Sequence, residues 1–134
     1  MDRLIAAATE IRLRAHAPYS GFLVGAALES SSGEMFVGCN VENASYGLCV
    51  CAERNAVAAA VAAGVTDWQR LAVVVDVSSP VAPCGACRQV LAEFCEELDV
   101  LLVTTSGIRV ETRLSELLPR RFAGSQLDQG ADEA

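Results

Sequence analysis

The sequence predicts a three-layer α/β fold: a mixed sheet of about five strands with helices on both faces. Three observations predict it. Short apolar, β-branched runs alternate with longer segments of helical character. The 134 residues, 52% of them hydrophobic, suffice for one domain whose core needs no disulfides, since a chain of this length buries roughly two-thirds of its unfolded surface. Between the last two strand-like runs lies only the turn Thr104 to Gly107, whereas a parallel crossover needs about a dozen residues or more. Those two strands, if they pair, therefore pair antiparallel.

The elements follow in order. Residues 3 to 15 carry Leu4, Ile5, Ala8, Ile11 and Ala15 near helical spacing, with Pro18 just beyond. Phe22 to Leu28 and Met35 to Cys39 read as two strands of an antiparallel hairpin turned at Ser31-Ser32-Gly33. Asn40 to Val50 has no period and reads as a polar loop. Cys51 to Ala63 is an alanine-rich helix with Gly64 as its C-terminal cap. Arg70 to Asp76 is a β-branched run suited to a buried strand. Val77 to Pro83 is a loop, Cys84 to Glu97 a second helix and Val100 to Val103 another buried strand. Ile108 to Thr112 completes the sheet, and Leu114 to Leu118 is a short helix stopped by Pro119. The domain spans residues 1–123, followed by a loose acidic tail, 124–134.

Charge and composition narrow the function classes. The net charge is -7 and all ten basic residues are arginine, so the chain has no general attraction for phosphate backbones and no nucleic-acid partner is expected. The longest apolar run, Ala56 to Val65, is far short of the roughly 18 residues of a membrane span. The N-terminal stretch has charge on both sides of a short apolar run and lacks a signal peptide's layout. A cytoplasmic setting with reduced thiols is expected.

Thiols then carry the chemistry. Cys51 opens one helix, and Cys84 and Cys87 open another, with Glu53 two residues after the first thiol. Thiolates hold zinc tightly, and three protein ligands leave a fourth position for water. Glu53 is placed to move protons rather than to bind metal. A helix N-terminus favours negative charge and helps a thiol ionise. Three thiolates on Zn²⁺ leave a net negative centre, which the helix ends and Arg54 offset.

Cys51-Ala52-Glu53-Arg54 followed by Pro83-Cys84-Gly85-Ala86-Cys87-Arg88-Gln89-Val90 resembles the small zinc-dependent cytidine deaminases of the homotetrameric type. The resemblance extends to Ala17-Pro18-Tyr19-Ser20-Gly21-Phe22-Leu23-Val24-Gly25-Ala26-Ala27, to Gly38-Cys39-Asn40-Val41-Glu42-Asn43-Ala44-Ser45-Tyr46, and to Leu117-Leu118-Pro119 with Phe122. It implies a cytidine-deaminase-like fold with zinc on Cys51, Cys84 and Cys87. It also implies hydrolytic deamination of cytidine and deoxycytidine by a zinc-activated hydroxide, with Glu53 as proton shuttle, in pyrimidine salvage. By the same resemblance Asn40 and Glu42 bind the ribose, Phe22 packs by the base and the Ala52 backbone contacts the pyrimidine. Tyr46 and Phe122 line sites shared between subunits of a homotetramer. The chain departs from the family at Arg120-Arg121, where Gly-Ala is common, and at Cys49, where a small hydroxyl residue is common.

Competing readings of the same residues are a four-thiolate structural zinc site that adds Cys49, a role for His16 as a fourth ligand, and a thioredoxin-like redox pair at Cys84 and Cys87. Among deaminases, a nucleic-acid-acting enzyme is opposed by the acidic charge and the short last turn. A blasticidin-type enzyme is opposed by the Phe22 segment and Asn40-x-Glu42. Cys39 and Cys95 read as inert buried thiols, and Trp68 and Val73 to Val75 as core.

Overall fold

The computed structural model describes residues 2–127. Asp2 caps helix α1 (Arg3–Arg12), its Oδ1 accepting from the Leu4 N–H at 2.8 Å. Strands β1 (Val24–Ser30) and β2 (Met35–Cys39) form the expected hairpin. Helix α2 (Ala52–Ala62) leads to β3 (Trp68–Val75), and α3 (Gly85–Phe94) leads to β4 (Asp99–Thr104). Strand β5 (Arg109–Arg113) and the single turn α4 (Leu114–Leu117) follow. The sheet order is β2-β1-β3-β4-β5. β3 and β4 are parallel, joined through α3, and every other pairing is antiparallel, including β4 with β5.

Strand alternation divides the core into two layers. Ala26, Leu28, Leu71, Val73, Val100 and Leu102 face α2 and α3. Ala27, Ala72, Val74, Leu101 and Val103 face α1. Trp68 and Val73 to Val75 are core as expected, whereas Cys39 is only half-buried. Two strand glycines let the helices approach. A Cβ at Gly25 would lie 2.0 Å from the Ala8 carbonyl oxygen of α1, and one at Gly38 would lie 2.4 Å from backbone atoms of Ala52 and Ala56 in α2.

Several boundaries differ from expectation, each with a local cause. α1 stops at Arg12 because the chain beyond it pairs with the loop after β2. The His16 N–H donates to the Asn40 carbonyl at 3.0 Å, and His16 bridges Val41. β1 begins at Val24, since Gly21 turns the chain at φ 69° and the Phe22 backbone bonds to side chains instead. α3 stops at Phe94 because Cys95 is extended. The guanidinium of Arg121 donates to the carbonyls of Ala92, Cys95 and Glu96, satisfying the helix's open C-terminal acceptors. The loop 40–50 holds one 3₁₀ turn (Tyr46–Leu48) and a Val41–Val50 bridge. Residues 124–127 take a helical turn, and the rest of the expected tail lies outside the described residues. No helix among the described residues is long and apolar enough to cross a membrane.

Arg70 ties the N-terminus to the sheet, donating to Asp2 Oδ2 at 2.8 Å and Glu29 Oε1 at 2.9 Å. Those hydrogen bonds, foremost, hold both carboxyl groups below their ordinary values of 3.8 and 4.5. A carboxyl group so lowered stabilises the fold above its unfolded pKa and loses that contribution as pH falls through the folded one. Arg70→Ala is expected to lower stability by about 1–2 kcal/mol at neutral pH and by much less at a pH below both lowered folded values, where both groups are protonated. Urea denaturation of both proteins at pH 7 and at acid pH checks this; an equal loss at both would count against it.

Candidate active site

The N-termini of α2 and α3 meet beyond the carboxyl end of β3. Cys51 is the residue before α2 and Cys84 the residue before α3, so both thiols sit where backbone N–H groups lack helical partners. Cys87 follows in the first turn of α3 and is buried. Gly38 seats the first turn of α2 on β2, and Asn55 Nδ2 anchors it by donating to the Cys39 carbonyl at 2.8 Å. Arg88 fixes the Cys84 loop, donating to the Pro83 carbonyl at 2.7 Å and to that of Leu117 at 2.9 Å.

The three sulfurs lie within 4.8 Å of one another. Cys51 Sγ to Cys84 Sγ is 3.8 Å and Cys84 Sγ to Cys87 Sγ is 3.4 Å. A tetrahedral zinc with Zn–S bonds of about 2.3 Å needs sulfur–sulfur edges of about 3.8 Å, so the donor set and its spacing fit that ion. Cys49 is outside the cluster. Its thiol lies against the Asn43 backbone, 3.4 Å from the N–H, on the wall of the cleft. His16 is outside it too. The four-thiolate and histidine readings therefore lack their fourth donor.

Charge is arranged around the sulfurs. A hydrogen bond from Cys87, helped by Arg54, pulls Cys51 down to about 5, while the same bond and burial push Cys87 up. Arg54 Nη2 is 3.5 Å from Cys51 Sγ, and its Nε is buried without a hydrogen-bond partner among the described residues. Glu53 is 6% exposed, and burial raises its pKa above the ordinary 4.5.

One cleft of about 270 Å³ collects most of the predicted residues. Cys51, Ala52, Glu53 and Cys84 line it together with Phe22, Asn40 and Glu42. Asn40 braces the start of β1: its Oδ1 accepts from the Val24 N–H at 2.8 Å, and its Nδ2 donates to the Phe22 carbonyl at 2.7 Å. Cys87 lies buried behind it and Arg54 against the sulfurs, while Tyr46 and Phe122 stand away from it within the chain. Tyr46, 74% exposed, stands in an adjoining groove edge-to-face with Tyr19 at 6.0 Å. Phe122 is 57% exposed, and its carbonyl accepts from Gln89 Nε2 at 2.8 Å.

Residues 1–102 match the family described as the cytidine and deoxycytidylate deaminase zinc-binding region. The chain belongs to that family. It is thus a zinc-dependent hydrolase of the deaminase class. This deaminase is 45% identical to the cytidine deaminase of Sporosarcina psychrophila over 134 residues, 99% of this chain and 98% of that one. It is 47% identical to the cytidine deaminase of Halalkalibacterium halodurans over 131 residues, 96% and 99% of the two chains. A crystal structure of cytidine deaminase from Burkholderia pseudomallei superposes with a TM-score of 0.86 at 51% identity, covering 89% of this chain and 96% of that one. The deaminase fold is therefore the three-layer mixed sheet expected from sequence.

Sequence reasoning missed the apolar cleft wall of Val24, Val73, Val75 and Val81, and the braces Asn55, Arg88 and Arg121. Val73 and Val75 resemble any strand core in sequence. Their position at the carboxyl end of a parallel strand, where α/β sheets place ligands, is the one available sign.

Purified deaminase is expected to hold about one zinc per chain. Cys84→Ala should lose zinc and stability together, because metal binding is coupled to folding. Cys49→Ser should leave zinc content unchanged. Metal analysis with thermal denaturation checks both variants, and full zinc retention by Cys84→Ala would remove Cys84 from the ligand set.

Proposed function

We propose that this deaminase hydrolyses cytidine and deoxycytidine to uridine and deoxyuridine with release of ammonia, in pyrimidine salvage in the cytoplasm. The observation that carries the reading is the cleft in which Cys51 and Cys84 of the sulfur cluster open, with Glu53, onto Phe22, Asn40 and Glu42. Its chemistry matches a nucleoside: an apolar wall for a base and polar groups for a sugar.

In this reading Cys51, Cys84 and Cys87 would hold zinc, which when bound would supply Lewis-acid activation of water. Glu53 accepts a proton from the attacking water and delivers it to ring N3. It then helps protonate the amino group as the C4–N bond breaks and ammonia leaves, with the water oxygen retained at C4. Glu53's place in the first turn of α2, two residues after Cys51 and lining the cleft, supports that role. Arg54 offsets the negative charge of the thiolates, supported by its approach to Cys51 Sγ. Ala52 contacts the pyrimidine through its backbone, Phe22 packs by the base, and Asn40 and Glu42 take the sugar hydroxyls. Tyr46 and Phe122 complete neighbouring sites in a homotetramer. Their exposure within one chain supports this assignment, as does the exposed Leu48 beside Tyr46.

Three outcomes are expected. Glu53→Ala should keep zinc yet lose about 10²–10⁴-fold or more in kcat, the usual range for general acid–base help; a near-normal kcat would remove Glu53 from the mechanism. In an ultraviolet assay at equal concentrations, cytidine and deoxycytidine should be converted. Cytosine lacks the sugar, and cytidine monophosphate brings an anion towards Glu42. Comparable kcat/KM for the monophosphate or for a cytosine-containing single strand would overturn the free-nucleoside reading. Light scattering should show a tetramer, and a fully active monomer would overturn shared sites.

A further inference from the structure

Glu42 lines the cleft, yet most of its hydrogen-bonding capacity is already committed to the turn ahead of β1. Its Oε1 accepts from the backbone N–H groups of Tyr19 at 3.0 Å and Ser20 at 3.2 Å, and its Oε2 accepts from the Ser20 hydroxyl. A carboxylate offers about four acceptor sites, so one remains. The Ser20 hydroxyl has a second partner: its oxygen accepts from the Phe22 N–H at 3.0 Å. One hydroxyl thus joins the carboxylate at the cleft to the backbone of the aromatic beside it.

We propose that Ser20 is a positioning residue for sugar recognition, fixing Glu42 so that its remaining acceptor site is presented to a sugar hydroxyl while registering Phe22 against the base. The inference rests on the nucleoside-deaminase reading above and extends it to a residue outside the metal and proton-transfer groups. Its physical basis is preorganisation. A glutamate free to rotate must be ordered when substrate binds, whereas one held by three donors has already lost that freedom. The Ser20 hydroxyl bond is also the foremost cause of the lowered Glu42 pKa, keeping the carboxylate an acceptor for a donor hydroxyl. Because the sugar is remote from C4, the gain is equal in ground and transition states and is read in KM rather than kcat.

The experiment compares wild type, Ser20→Ala and Ser20→Thr, all with measured zinc content. Ser20→Ala should raise KM for cytidine about tenfold and leave kcat within about twofold. The inhibition constant of uridine should rise by the same factor, and that of 1-methyluracil, which has no sugar, should not. Ser20→Thr, which keeps the hydroxyl, should restore the wild-type values. An unchanged KM in Ser20→Ala, or equal weakening of uridine and 1-methyluracil, overturns the role of Ser20 alone. Wild-type protein that leaves cytidine unconverted overturns the deaminase reading and this inference with it.

Discussion

The cleft depends on two helix N-termini held close enough that the thiols of their N-cap residues meet at 3.8 Å. Each such end carries roughly half a positive charge, so bringing two together is unfavourable unless something anionic sits between them. Cys51 and Cys84 occupy that position as the flanking residues of α2 and α3, and Cys87 joins them from the first turn. The dependence is mutual: thiols need a positive environment to ionise, and the helix ends need anions to meet. The parallel pairing of β3 with β4 requires a crossover helix, and Gly38 lets the other helix lie directly on the sheet. Topology and one missing side chain together set where the sulfurs converge.

The two faces of the sheet are used differently. α1 packs Leu4, Ile5 and Ala8 on one face, tied at its start by the Asp2–Arg70–Glu29 cluster. The opposite face carries α2 and α3 and, at the strand ends, the cleft. Strand β3 belongs to both layers, with Leu71 and Val73 on the cleft side and Ala72 and Val74 on the other. Its own carboxyl end supplies Val73 and Val75 to the cleft wall, so one largely buried strand serves both the core and the cleft.

Much of this was legible in the residues. The helical and strand runs identified every strand and α1 to α4, and the short Thr104 to Gly107 turn correctly implied an antiparallel last pair. The spacing of Cys51, Cys84 and Cys87 identified the cluster because metal-ligating residues leave a compact, type-specific mark. Less legible were features that arise from tertiary hydrogen bonds. The end of α1 depends on the His16 backbone pairing with the loop after β2. The role of Arg121 depends on carbonyls some 25 to 29 positions earlier. Asn40 looked like a pure sugar ligand, yet both ends of its amide also brace β1, because an amide's donors and acceptors carry no sequence mark of what they meet.

The grip of Arg121 on the last carbonyls of α3 makes the two termini mechanically unequal. The chain leaving the domain after Phe122 is clasped to the same helix that carries Cys87 and follows Cys84. The chain leading into it ends on α1, across the sheet from the cleft. A bulky fusion at the carboxyl side would pull on the helix that bears the sulfurs, while one at the amino side would load the face that bears none. For tethering this protein to a surface or a second domain, the amino side is the quieter attachment.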